Sequence, residues 1–171
     1  MDCDQVDIKA AFLNGELEEL VHLEPPEGSN IPANKVLRLH KSLYGLKQSP
    51  RCFNQALDKF LRSLGLNPSA ADSCLYIRST KDTLLMISVH VDDQLIACNN
   101  RQELDDFNTK LNDRFECSDG GAVSYFLGFN VFRDRPNRKL FISQEHYVQA
   151  VLERFGMLDS KPAKTPLPSG F

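Results

Sequence analysis

Hydrophobic positions along this chain recur with two periods, and the most apolar stretch contains an acidic interruption. From Leu84 to Cys98 it reads Leu-Leu-Met-Ile-Ser-Val-His-Val-Asp-Asp-Gln-Leu-Ile-Ala-Cys, with Asp92 and Asp93 adjacent at its middle. Apolar runs on both sides of a tight polar pair predict two buried strands joined by a hairpin turn. Aspartate is also an ordinary turn residue, so the pair taken alone reads first as a polar turn.

Helical spacing appears three times. Phe53, Leu57, Phe60, Leu61 and Leu64 form one stripe, with Ser49 expected as N-cap, Pro50 at the first helical position and Gly65 just past the end. Leu104, Phe107, Leu111 and Phe115 form a second, preceded by Asn100 with Glu103 in the capping-box position. Tyr147, Val148, Val151, Leu152 and Phe155 predict a third helix over about 144–155.

The remaining segments read as strands and turns. Residues 4–14 are strand-like but carry Asp7, and Asn14-Gly15 breaks them. Glu16–Leu20 is expected as a short turn or helix, 25–32 as a loop and Lys35–His40 as a short strand. Cys74–Arg78 predicts another strand, and Asp119-Gly120-Gly121 a turn. Tyr125–Phe132 and Lys139–Ser143 predict a second hairpin around Arg135-Pro136-Asn137. The tail from 158 to 171, rich in proline, is expected to be extended or disordered.

This order predicts an α+β fold: a split βαββαβ (ferredoxin-like) antiparallel sheet with helices on one face, followed by a hairpin and a helix. The first strand and the Asp-Asp hairpin can be sheet neighbours in such a unit, which brings Asp7 towards Asp92 and Asp93. Crowded carboxylates repel unless one is protonated or a cation bridges them. Three hard oxygen donors at a sheet edge suit magnesium. Two such ions can activate a 3′-hydroxyl and stabilise leaving pyrophosphate. The spacing fits a nuclease, a cyclase or a calcium-binding turn equally well.

Composition narrows the class. A chain of 171 residues with 42% hydrophobic and 25% charged content suits one globular domain. No apolar run reaches the roughly 20 residues of a membrane span, and the acidic N-terminus has no signal-peptide pattern, so an intracellular location (cytoplasm or nucleus) is expected. The five cysteines are odd in number and lack CxxC spacing, which predicts reduced thiols rather than disulfides or a zinc site. His22, His40 and His146 show no convergent metal pattern. Net charge is −3, yet residues 1–27 carry eight carboxylates against Lys9, while 35–62 carry seven cations against Asp58. That segregation offers a basic face for phosphates, or simply a solvated one.

Several strings then carry a resemblance. They are Gln5-Val-Asp-Ile-Lys-Ala-Ala-Phe-Leu-Asn-Gly-Glu-Leu17, Leu39-His-Lys-Ser-Leu-Tyr-Gly-Leu-Lys-Gln-Ser-Pro-Arg51, Val91-Asp-Asp93 and Tyr125-Phe-Leu-Gly128. Ile142-Ser-Gln-Glu145, Tyr147 and Val151-Leu-Glu-Arg-Phe-Gly-Met157 follow in order. Together they resemble the reverse transcriptase of copia-type (Pseudoviridae-like) LTR retrotransposon polyproteins, over nearly the whole chain.

The resemblance implies RNA-directed DNA polymerisation on a palm domain, with two magnesium ions (manganese as a substitute), nucleotides and a primer–template. It implies Asp7, Asp92 and Asp93 as catalytic metal ligands and Phe12 as an aromatic gate against the ribose 2′-hydroxyl. Gln48, Ser49 and Pro50 match the segment near the incoming nucleotide, and Lys47 and Arg51 are candidates for template phosphate. The 125–143 hairpin looks like the primer-grip region. The implied division is palm with partial fingers over 1–143, the start of the thumb over 144–157, and the tail over 158–171.

Two departures stand out. His90 replaces the tyrosine of the Tyr-x-Asp-Asp motif, and the 119–124 stretch differs from the family pattern. The chain starts almost at the first catalytic strand, so the upstream fingers, most of the thumb and ribonuclease H are expected to be missing, with weak or absent polymerisation by the chain alone. The alternative reading is a domesticated, non-catalytic module that binds a protein or nucleic-acid partner.

Overall fold

A computed structural model describes residues 1–32 and 34–167. It shows a mixed α+β chain with antiparallel sheets and, among the described residues, three α-helices. The chain forms two compact units, Met1–Val123 and Ser124–Phe171.

The first unit is built on a six-stranded sheet. Its members are β1 (Asp2–Ile8), β4 (Asn67–Pro68), β5 (Leu75–Ser79), β6 (Leu84–His90), β7 (Asp93–Cys98) and β8 (Cys117–Ala122), in spatial order β4-β5-β6-β7-β1-β8. Every neighbouring pair is antiparallel. A separate two-stranded sheet pairs β2 (Glu16–Leu23) with β3 (Leu37–Lys41).

Side chains alternate along a strand, so register decides which residues share a face. Val6 and Ile8 on β1, Leu85, Ile87 and Val89 on β6, and Ile96 and Cys98 on β7 are buried. They share one core with Phe53, Leu57 and Leu61 of α1 (Ser49–Ser63) and Leu104, Phe107 and Leu111 of α2 (Arg101–Arg114). Phe115 joins the helices: its ring meets Phe53 and Phe60 edge-on, at centroid distances of 6.1 and 5.5 Å. Buried Asp4 faces the helices too, and accepts from Arg101 at 3.1 Å and Asn108 at 3.2 Å, tying β1 to α2.

Four local expectations are corrected. Glu16–Leu20 is part of β2 rather than a turn or helix, because β3 supplies a partner that the local sequence does not reveal. Ser49 is the first residue of α1 and Gln48 is its N-cap; the Ser49 hydroxyl turns inward and donates to the Leu43 carbonyl. Glu103 completes only half of a capping box: its N–H donates to Asn100 Oδ1, while its carboxylate pairs with Arg78. Asp119-Gly120-Gly121 lies within β8 across an irregularity in its pairing with β1. Glycine is required at 120, since a Cβ there would stand 2.5 Å from the Gln5 carbonyl oxygen.

The second unit holds a three-stranded sheet and α3 (Glu145–Arg154). Its strands β9 (Tyr125–Phe126), β10 (Phe129–Asp134) and β11 (Lys139–Ser143) are ordered β11-β10-β9. Leu127 and Gly128 carry positive φ and split the expected first strand of this hairpin in two. No residue of α3 is fully buried; of its expected apolar stripe, Val151 and Leu152 are half-buried and Tyr147, Val148 and Phe155 are exposed. Residues 158–167 form no helix or strand, and residues 168–171 of the expected tail lie outside the described residues.

Candidate active site

One row of side chains crosses the sheet on the face opposite the helices. Asp7 on β1 pairs with Asp93 on β7, and Asp93 pairs with His90 on β6. On the other side Asp7 pairs with Ser118 of β8, whose hydroxyl lies 3.3 Å from Asp7 Oδ2. The row therefore reads His90, Asp93, Asp7, Ser118 across four strands. Local sequence explains the facing: Val6, Ile8, Gln94 and Ile96 turn inward, so odd positions beside them turn outward.

The third acid sits in the turn. Strands β6 and β7 are joined by Val91 and Asp92, and the Ile8 N–H donates to the Asp92 carbonyl at 2.9 Å. That bond fixes the turn to the end of β1, one residue beyond Asp7. Val91 has φ of +55°, an uncommon conformation for a β-branched residue. Such strain costs about 1–3 kcal/mol and is found where the surroundings over-determine the backbone.

The acids sense one another. Partial burial, then the charges of Asp92 and Asp7, raise the Asp93 carboxyl above its ordinary range, while His90 and a hydrogen bond from Gln5 pull it down. Burial, followed by the charge of Asp7, pushes the Cys117 thiol up to about 11. Negative charge has thus accumulated at the end of β1 and is only partly offset.

Among the described residues no three His, Cys, Asp or Glu side chains converge tightly enough to hold a metal ion by themselves. The donor chemistry nonetheless fits magnesium, which binds through one or two carboxylates and completes its shell with water and phosphate oxygens. The half-buried, outward-facing Asp7 and Asp93 leave room for those oxygens.

The other sequence-predicted residues lie on the 3-10 turn that follows β1 and around the loop before α1, which the Ser42 hydroxyl ties to that turn by donating to the Phe12 carbonyl. A 3-10 turn (Ala11–Asn14) follows β1 and holds Phe12, which is half-buried against the core. Its ring meets Tyr44 at a centroid distance of 4.8 Å. Gln48 is half-buried, Ser49 fully buried and Pro50 exposed at the start of α1. Lys47 is exposed. Arg51 is exposed but pairs with Glu19 at 3.2 Å. The acidic and basic segments also face each other across β2 and β3, where Glu16 is the partner of Lys41. The basic face expected from charge segregation is therefore partly neutralised from within.

Sequence reasoning missed Gln5, Ser118 and Tyr44. Gln5 was accessible, two residues before Asp7 on the same face of one strand. Ser118 was concealed by the apparent Asp-Gly-Gly turn. A cleft of about 770 Å³ lies elsewhere, between β2, α1 and the end of α2, and none of the acids in the row lines it.

Known proteins resemble this chain over nearly its whole length. The family described as reverse transcriptase (RNA-dependent DNA polymerase) matches residues 2–169. The retrovirus-related Pol polyprotein from transposon TNT 1-94 of Nicotiana tabacum is 38% identical over 170 residues, covering 98% of this chain and 13% of the relative. The corresponding polyprotein from transposon RE1 of Arabidopsis thaliana is 34% identical over 165 residues, covering 95% and 11%. A transposon Ty5-1 protein of Saccharomyces cerevisiae is 30% identical over 164 residues, covering 95% and 53%. No helix among the described residues is long and apolar enough to cross a membrane.

Proposed function

The chain belongs to the reverse transcriptase (RNA-dependent DNA polymerase) family, of the copia type, and from that premise we propose that Asp7, Asp92 and Asp93 form the metal site of a nucleotidyl-transfer centre. The observation that carries this reading is the pairing of Asp7 with Asp93 beside the turn that holds Asp92.

In this reading the six-stranded sheet with α1 and α2 is the palm, a split βαββαβ unit whose helix-free face carries the acids. Residues 1–143 make up the palm with partial fingers, 144–157 begin the thumb, and 158–171 are a tail. The chain spans 13% and 11% of the two plant polyproteins it resembles, so their activity is carried over here only as a proposal.

Each residue has a role that follows from its place. Asp7 and Asp93 present oxygens from adjacent strands, and Asp92 presents a third from the turn. Ser118 and Gln5 hydrogen-bond Asp7 and Asp93, which limits the rotamers available to them. Magnesium bound there would promote ionisation of a primer 3′-hydroxyl and neutralise charge on departing pyrophosphate. Phe12 gates the sugar. Gln48 and Pro50 border the nucleotide, with Ser49 holding their loop from beneath. Lys47 and Arg51 meet template phosphate, Arg51 by exchanging its partner Glu19. The hairpin over 125–143 grips the primer.

Primer extension on an RNA template, with magnesium or EDTA, tests the proposal. Weak, magnesium-dependent synthesis lost in Asp93→Asn supports it. Synthesis that survives EDTA or the Asp93→Asn substitution contradicts it.

A further inference from the structure

His90 ends the row of side chains that crosses the outer face of the sheet, and it alone brings a nitrogen to that row. It pairs with Asp93 across the two-residue turn of Val91 and Asp92. Directly opposed residues of an antiparallel pair hold their Cβ atoms about 4.5–5.5 Å apart on one side of the sheet. Burial and the charges of Asp92 and Asp7 raise the Asp93 carboxyl, and His90 acts against them, which places the imidazole within electrostatic reach of that carboxyl. His90 is exposed, and among the described residues no hydrogen bond engages either ring nitrogen.

An exposed histidine by itself needs no explanation. Here, however, the tight turn fixes its position on β6, and the bond from the Ile8 N–H to the Asp92 carbonyl fixes that turn against β1. The Tyr-x-Asp-Asp motif has a phenol at this place, which keeps its proton at neutral pH and is a poor ligand. Imidazole presents a nitrogen lone pair from the same place. Magnesium takes hard oxygens and keeps several of its waters, so the ring adds little to its binding. Later divalent ions of the first transition row accept imidazole beside carboxylate.

We propose that His90 donates an imidazole nitrogen to a divalent transition ion of the zinc and cobalt class held together with Asp93, so that this end of the row takes such ions in preference to magnesium. Water completes the shell, since the described side chains do not enclose an ion by themselves. The proposal rests on the reading of Asp93 as a metal ligand and adds a consequence to it. An ion held by His90 draws on a carboxylate that magnesium also uses, so the two ions compete.

Calorimetric titration of the full chain with cobalt(II) and with magnesium, joined to proton NMR of the cobalt-loaded chain, tests it without requiring turnover. His90→Ala is expected to weaken cobalt binding at least about 10-fold, the lower limit for losing a group that merely orients a ligand, and to leave magnesium binding nearly unchanged. His90→Tyr should behave as His90→Ala does. The cobalt-loaded parent should show a strongly shifted, solvent-exchangeable imidazole N–H signal that both variants lack, and magnesium should weaken apparent cobalt affinity. Circular dichroism of each variant verifies folding. If Asp93→Asn abolishes magnesium binding while His90→Ala leaves cobalt binding unchanged, this inference falls and the site reading stands. A shifted imidazole signal that persists in His90→Ala assigns the nitrogen to another histidine and also overturns it. Binding of both ions that is indifferent to Asp93→Asn overturns the inference and the site reading together.

Discussion

Asp7 and Asp93 are partners on adjacent antiparallel strands, although 86 residues separate them in sequence. Their pairing brings like charges together at the solvent side of a sheet whose other side is a continuous core. A fold has little structural reason to crowd carboxylates in this way; partial burial first, and then the charges of Asp92 and Asp7, raise the Asp93 carboxyl.

The raised carboxyl gives a pH signature. A carboxyl whose pKa is raised in the folded state holds its proton more tightly when folded than when unfolded. The stability this confers is fully present below the ordinary value of 3.8, and is lost as pH rises through the elevated folded-state value. Asp93→Asn should therefore gain stability relative to the parent at pH 7 and lose that advantage near pH 3. Urea denaturation at the two pH values measures the difference. Magnesium at 100 times its dissociation constant should stabilise the parent by about 2.7 kcal/mol and leave the variant unchanged.

Ser118 steadies Asp7 from the neighbouring strand. Groups that orient a metal ligand typically contribute 10–100-fold in affinity. Ser118→Ala is expected to weaken magnesium binding about 10-fold, the lower limit, because the 3.3 Å contact is long. Calorimetry checks this, and an unchanged affinity would confine Ser118 to a structural role.

Val91 adopts the left-handed conformation at the tip of the acidic turn and is 44% exposed, so its side chain contributes little packing. Relief of about 1–2 kcal/mol of strain should outweigh the greater backbone freedom of glycine in the unfolded chain. Val91→Gly is expected to raise stability by about 0.5–1 kcal/mol in urea denaturation. A loss of stability would show that Val91 packs more than its exposure implies.

The parts of the fold legible in the sequence were those whose partners are nearby. The β6–β7 hairpin announced itself by two apolar runs around Asp92 and Asp93, and α1 and α2 by their stripes of Phe and Leu. Asn100 caps α2 as its position suggested, because a cap is a local contact. The misreadings lie where a distant partner overrides local preference. Glu16-Leu-Glu-Glu-Leu20 has no strand-like alternation and becomes a strand only through β3. Ser118 and the glycines after it belong to a strand because β1 runs beside them, with Gly120 leaving space for the Gln5 carbonyl. The same distance dependence governs the site. Asp92 and Asp93 could be singled out from their own segment, Asp7 only through the fold, and Ser118 only from the structure.

The most direct test of the acidic row as a metal site is paramagnetic broadening of backbone amide signals by manganese, a substitute for magnesium, added at substoichiometric amounts to the isotope-labelled chain. Broadening should be centred on Asp7, Asp92, Asp93 and Ser118, should be reversed by excess magnesium, and should vanish in Asp93→Asn. Broadening centred on the glutamates of β2, or spread evenly over the acidic surface, would contradict the account.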